Sequence, residues 1–172
     1  MLWLAGDISL SVVVGDPLVD PHFVERISYA RSFPCIKKIS TVTNCLNLHK
    51  VGVKNLINSG LNELGISMTD FNAEMYKRIY RSDKYEQMRQ NVLDLFRINN
   101  EMGKPIKIYI NLRIDKPIEK VLNYSGFNEV IELAEAVSAN YHFDNWSGRI
   151  KSTDLTVEVD RRLKRLFRID VA

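Results

Sequence analysis

Residues 106–114 alternate in character without a break. Ile106, Ile108, Ile110, Leu112 and Ile114 fall on one face of an extended chain, and Lys107, Tyr109, Asn111 and Arg113 on the other. Such a strand has one face to bury and one to keep wet. Leu64, Ile66 and Met68 likewise oppose Glu63, Ser67 and Thr69, and Ile8, Leu10 and Val12 oppose Ser9 and Ser11. Lys37, Thr41 and Thr43 lie opposite Ser40 and Val42 with a less clean division. In a sheet covered by helices on both faces, strands read as near-continuous apolar runs, and these do not.

The segments between these strands have helical signals. The pattern predicts a strand over Ile8–Val14, a break at Gly15-Asp16-Pro17, and a helix capped by Asp20 with Pro21 at its first position, running to Ser32. A strand over Ile36–Thr43, a helix over His49–Asn58 ending at Gly60, and a strand over Glu63–Thr69 follow. The longest helical stretch is Ala73–Met102, broken near Ser82-Asp83 and stopped by Gly103 before Pro105. Strand Ile106–Ile114, helix Asn128–Ser138, strand Asn140–Trp146 and a last helix over Asp154–Phe167 complete the chain. Strands alternating with helices call for parallel β/α units with right-handed crossovers. Wet strand faces then favour an α/β partial barrel with a ligand-holding lumen; the plainer alternative is a sheet with one face open to solvent.

Composition narrows the function. The 172 residues suit one domain, 1–172, with no linker or repeat to divide it. Hydrophobic residues at 45% and charged residues at 26% are those of a globular chain. A net charge of +3 is too small to call for nucleic acid, even with Arg161, Arg162, Lys164, Arg165 and Arg168 on the last helix. No apolar run reaches the ~20 residues of a membrane span, which points to the cytoplasm. Cys35 and Cys45 bracket the strand Ile36–Thr43, too far apart for a disulfide at about 3.3 Å per residue, and read as reduced thiols. His22, His49 and His142 carry no metal-ligand spacing, and neither a metal site nor a catalytic triad is legible.

Five stretches, in order and with consistent spacing, carry a family resemblance. Ser11 to Phe23, containing Gly15-Asp16-Pro17-Leu18 and Pro21-His22-Phe23, resembles the second strand, glycine-rich turn and helix start of radical S-adenosylmethionine (radical SAM) enzymes. Their usual string there is Gly-Gly-Glu-Pro-Leu-Leu; here Val14 stands for the first glycine and Asp16 for the glutamate. Ile39 to Asn44 is similar to their third strand ending in Thr-Asn, and Ser59 to Asp70 to their Ser-Gly-(Leu/Val)-Asp…Ile-Ser-(Ile/Leu)-Asp segment. Tyr76 to Arg81 matches their Tyr-x-x-(Ile/Leu)-Arg stretch, and Asn145 to Arg149 is similar to members with a cysteine-rich C-terminal extension, the SPASM type.

The resemblance implies a (β/α)6 partial TIM barrel holding S-adenosylmethionine on a 4Fe-4S cluster. It also implies a C-x-x-x-C-x-x-C loop after the first strand, because cluster irons need thiolates close together. The sequence contains no such loop. The expectation is therefore a truncated barrel of the family's strands two to six, inactive alone, with the cysteine loop encoded roughly 30 residues before Gly15.

By the same resemblance the cofactor-binding residues are Gly15, Asp16, Pro17, Thr43, Asn44, Ser67, Asp70 and Arg113. Gly15-Asp16-Pro17 takes the amino group of the cofactor by close backbone approach, Ser67 and Asp70 face its ribose or carboxylate, and Arg113 forks onto the carboxylate. Simpler roles stand beside these: a strand-to-helix turn at Gly15, a helix cap at Asp70, turn hydrogen bonds at Thr43 and Asn44, an ion pair of Arg113 with Asp115, and packing for Trp146. Two other functions remain open: a non-catalytic remnant that binds a small ligand or partner, and an unrelated barrel enzyme using Asp16, Asp70 and Arg113 for acid–base work. The substrate, a small molecule or peptide, is not legible. A first strand left as an unprotected apolar edge predicts self-association.

Overall fold

The computed structural model describes residues 6–12, 14–69, 71–114, 118–121 and 127–140. Along the chain these form β1 (Gly6–Ser9), α1 (Phe23–Arg31), β2 (Ile36–Thr43), α2 (Leu48–Val51), α3 (Val53–Asn58) and β3 (Glu63–Met68). Then come α4 (Ala73–Tyr80), α5 (Tyr85–Glu101), β4 (Lys107–Arg113), α6 (Ile118–Val121), α7 (Phe127–Leu133) and β5 (Ala136–Asn140). The strands make one parallel α/β sheet in the order β1-β2-β3-β4-β5. The chain falls into two compact units, one with the residues up to 66 together with 86–109, the other with 67–85 and the residues from 110 on.

In the first unit, pairing of Ser9 with Ser40, Ser40 with Glu63 and Thr43 with Ile66 aligns the faces of three strands. Ile39, Thr41, Thr43, Leu64 and Ile66 are buried on one face, while Ser9 and Val42 are exposed on the other. Near the amino end of that open face, Lys38 Nζ lies 3.5 Å from Asp7 Oδ2 and 3.4 Å from Glu63 Oε2, one carboxylate on each flanking strand. Helix α5 packs by its periodicity: Met88, Val92, Leu95 and Phe96 are buried, and Arg97 on its exposed side pairs with Glu101 at 2.9 Å and Asp94 at 3.3 Å.

The connection into β3 is held by a knot of side chains on backbone. Arg31 Nε and Nη2 donate to Gly60 O at 3.0 and 2.8 Å, and Nη1 donates to Ile36 O and Lys37 O, each at 3.2 Å. Arg31 Nη2 also donates to Asn62 Oδ1, which accepts from Ile39 N at 2.9 Å as well. Asn62 N in turn donates to Ile39 O at 2.9 Å, and Asn62 O accepts from Lys107 N at 2.9 Å. Gly60 has φ +92°, and a Cβ there would fall 2.9 Å from Arg31 Cγ. A side chain would meet both a backbone penalty and the arginine.

In the second unit the expected alternation holds over 110–114: Ile110, Leu112 and Ile114 are buried, Asn111 is half-buried and Arg113 exposed. On β5, Val137 and Ala139 are buried, and Ser138 Oγ donates to Asn111 Oδ1 at 2.7 Å. Tyr76, Tyr80 and Tyr85 cluster, with ring centroids 4.9 and 6.0 Å from Tyr76.

Four boundaries and one helix cap differ from expectation. Regular pairing of β1 stops at Ser9, not Val14, with Leu10 N donating one further bond to Ser40 O at 2.8 Å. Helix α1 begins at Phe23, because Pro17–Val19 forms a 3-10 turn first, although Asp20 Oδ1 does accept from His22 N at 2.9 Å. The His49–Asn58 helix is two short helices interrupted at Gly52. Asn72, accepting from Met75 N at 2.9 Å, caps α4, and Asp70 lies outside the described residues. Helix α7 ends at Leu133, and β5 occupies residues assigned to it by sequence. His142, Trp146 and the Asp154–Phe167 segment with its basic side chains lie outside the described residues.

Candidate functional site

Between β1 and α1 the chain turns through Gly15-Asp16-Pro17. Gly15 is exposed with φ +100°, a backbone shape that disfavours any side chain, and no heavy atom lies within 4 Å of where a Cβ would stand. Asp16 caps the 3-10 turn, its Oδ1 accepting from Leu18 N at 2.9 Å. The same carboxylate ties this turn to the end of β2. Thr43 Oγ1 donates toward its two oxygens at 3.0 and 2.9 Å, and Asn44 N donates to Oδ2 at 2.6 Å. Three donor groups on one carboxylate make a charge-assisted anchor. Thr43 Oγ1 also accepts from Cys45 N at 3.0 Å, and Asn44 Oδ1 from Leu46 N at 2.9 Å.

The structure thus brings together Gly15, Asp16, Pro17, Thr43 and Asn44, five of the residues named from sequence. Pro17 and Thr43 are buried, Asp16 and Asn44 half-buried. Asp16 is spent on local donors, so what the turn offers a ligand is its backbone at Gly15. A cleft of about 480 Å³ opens beside Asp16 and Pro17, walled also by Leu10, Val12, Val19 and Phe23 and by the Asp20–Arg26 pair. Arg26 Nε donates to Asp20 Oδ2 at 2.6 Å, and that bond holds the half-buried Asp20 carboxyl below its ordinary range.

Ser67 and Arg113 belong to the second unit. Ser67 is half-buried in β3, its carbonyl accepting from Tyr80 OH at 3.0 Å, and Arg113 is exposed at the end of β4.

Sequence reasoning missed two polar residues that support the first unit's loop. Asn91 Nδ2 donates to Cys45 O at 2.8 Å and Leu46 O at 3.1 Å; Gln87 Nε2 donates to Leu46 O at 3.0 Å. The readable signal was an asparagine on the apolar stripe of α5, a position that demands hydrogen-bond partners.

An iron–sulfur cluster does not fit the thiols of this chain. The sequence has two cysteines, free and at opposite ends of β2, and Cys45 is wholly enclosed, where burial pushes its thiol far up and away from the thiolate a metal needs. Among the described residues no group of three His, Cys, Asp or Glu side chains is placed to hold a metal, and no helix is long and apolar enough to cross a membrane.

No known family model matches the sequence. It is 31% identical over 125 residues to a GTP 3',8-cyclase of Lactiplantibacillus plantarum, covering 72% of this chain and 36% of that protein. To a GTP 3',8-cyclase of Limosilactobacillus fermentum it is 24% identical over 141 residues, covering 81% of this chain and 42% of that one. The chain therefore spans well under half the length of these curated relatives. Among solved structures, Streptococcus suis SuiB bound to S-adenosylmethionine shares the fold with a TM-score of 0.60 at 17% identity, over 95% of this chain and 39% of SuiB. SuiB bound to the precursor peptide SuiA gives 0.58 at 17% identity, over 95% and 37%. Over most of its length the chain is thus similar in sequence to GTP 3',8-cyclases and in fold to SuiB.

Proposed function

We propose that this chain is part of a radical SAM-type partial barrel, its β1 to β5 corresponding to the family's strands two to six, and that it binds S-adenosylmethionine at the carboxyl ends of its strands. The observation that carries the reading is the Gly15 turn: exposed, at φ +100°, with open space where a side chain would stand, and pinned by Asp16 to the end of β2. Such a place lets a ligand amine approach backbone carbonyls closely. Thr43 and Asn44 act by holding Asp16. Ser67, Asp70 and Arg113 are assigned to ribose and carboxylate recognition by resemblance.

The chain's own cysteines supply no cluster ligands, so the reading gives it cofactor binding and no radical step, and it is inactive alone. Two unpaired thiols suit a cytoplasmic setting. The substrate class is a small molecule or a peptide, the latter supported by the peptide-bound state of SuiB. Val12 and Val14, 46% and 73% exposed beside β1 at one end of the sheet order, support self-association through that edge. A SPASM-type extension is part of the proposal on the Asn145–Arg149 resemblance alone. The second reading, a remnant that binds a different small ligand or a partner, is favoured by the largely apolar cleft.

Titration calorimetry of the purified full chain with S-adenosylmethionine, with iron assayed in the same sample, tests the choice. Saturable binding without iron, abolished by Gly15→Val, is expected. No heat at millimolar cofactor would remove the proposal and leave the second reading.

A further inference from the structure

We infer that Asn91, on the buried stripe of α5, is a positioning residue for the strand-end turn. It acts through the loop behind it. Asn91 is 7% exposed, and its amide nitrogen spans two successive carbonyls, Cys45 O at 2.8 Å and Leu46 O at 3.1 Å. The peptide it grips is unusual: Cys45 sits at φ +61°, in the left-handed region a non-glycine residue enters at a cost. That geometry must be held by neighbours. It turns Cys45 N onto Thr43 Oγ1 and leaves Asn44 N to meet Asp16 Oδ2. Asp16 then receives the Thr43 hydroxyl and Leu18 N, which closes the Gly15 turn.

The path from α5 to the turn therefore runs by hydrogen bonds through the Cys45 backbone, all of it within one compact unit. Gln87 adds a second grip on Leu46 O from the same helix. Asn91 touches nothing in the cleft, and its effect on a ligand is through backbone alone. The consequence for cofactor affinity rests on the S-adenosylmethionine reading; the coupling to the turn does not.

A built-in control lies two helical turns away. Asn99, 5% exposed on the same stripe, donates to Ile106 O at 2.9 Å and accepts from Ile106 N at 3.2 Å. Its loss weakens α5 in a similar way without reaching the loop after β2.

Amide hydrogen exchange on the full chain compares Asn91→Ala, Asn91→Asp and Asn99→Ala. Both Asn91 variants are expected to raise exchange at the Leu18 and Asn44 amides about tenfold, while Ile39 keeps its protection. Asn99→Ala is expected to leave Leu18 and Asn44 at wild-type rates. Unchanged exchange at those amides in the Asn91 variants, or equal loss in Asn99→Ala, overturns the inference. Should the Asn91 variants not fold, Gln87→Ala must show a smaller rise at the same amides, and no rise there is equally fatal. In parallel calorimetry, Asn91→Ala is expected to weaken S-adenosylmethionine about tenfold more than Asn99→Ala does. A wild-type chain that binds no cofactor refutes the functional reading, and the exchange data alone then decide the coupling of Asn91 to the turn.

Discussion

The two ends of β2 are both knotted, and they are knotted differently. At the amino end a guanidinium gathers backbone carbonyls of Ile36, Lys37 and Gly60, against a glycine whose missing side chain is filled by Arg31 itself. At the carboxyl end a carboxylate gathers N–H and O–H donors beside a glycine with nothing around it. Both glycines have positive φ, at +92° and +100°. Only the space beside them differs. A packed knot spends its hydrogen bonds on stability, and a knot left open can spend its rigidity on a ligand. In β/α architectures the strand ends divide in this sense, the amino ends bracing and the carboxyl ends binding.

Removing Arg31 should break the contrast most severely. Arg31→Ala leaves four strand-end acceptors short of donors and is expected to cost about 3 kcal/mol, read as a lower urea midpoint at unchanged slope. A loss no larger than that of Asp16→Asn would mean the amino-end knot braces nothing special. Next come the glycines as a pair. Gly60→Ala is expected to cost about 2 kcal/mol, from its φ and from the 2.9 Å approach to Arg31. Gly15→Ala should cost about 1 kcal/mol, from φ alone. Equal costs would show that surrounding space does not matter.

Thiol chemistry probes the carboxyl end. A native chain titrated with an aromatic disulfide reagent should release one equivalent readily, from half-buried Cys35, and the second only on denaturation, from enclosed Cys45. Fast reaction of both would mean the loop after β2 opens freely. The smallest effect is a pH dependence at the amino end. Glu63 first, then Asp7, raises the affinity of Lys38 for its proton above the ordinary lysine value. The folded state thus holds this proton more tightly than the unfolded chain. The contribution is full below about pH 10 and is lost as pH rises through the elevated value. The Lys38 side chain is 40% exposed, so the effect is small and screened by salt. Lys38→Met should flatten that alkaline decline in a urea titration; an unaltered slope would count against the ion triad.

How much of this could be read from residues alone depends on where the information sits. β2 falls on the expected Ile36–Thr43 although its alternation is uneven, and the alternation of 106–114 survives as burial. Local patterns suffice when a strand's own side chains decide which face is covered. β1 was overextended because Val12 and Val14 have strand propensity, whereas Asp16 pulls the chain toward β2 by contacts remote in sequence. β5 is hidden for the opposite reason: Ala136 and Ser138 are small, and the preceding helix claims them on propensity. At the site, the Gly15 turn and its Thr43 and Asn44 neighbours were legible through resemblance. That Asp16 faces inward onto their donors was not, since a carboxylate at a strand end reads the same whether it meets protein or ligand.

Asn62 has a consequence for the sheet as a whole. Its main chain donates to Ile39 O while its side chain accepts from Ile39 N, so a single residue grasps both polar groups of one position on the adjacent strand. Parallel ladders are evenly spaced and offer little to choose between neighbouring alignments, yet a slip of one step would turn every side chain inside out. A clasp that fits one partner only works as a dowel does in joinery: two lengths that could slide are fixed at one notch, and the alignment of everything beyond follows from that peg.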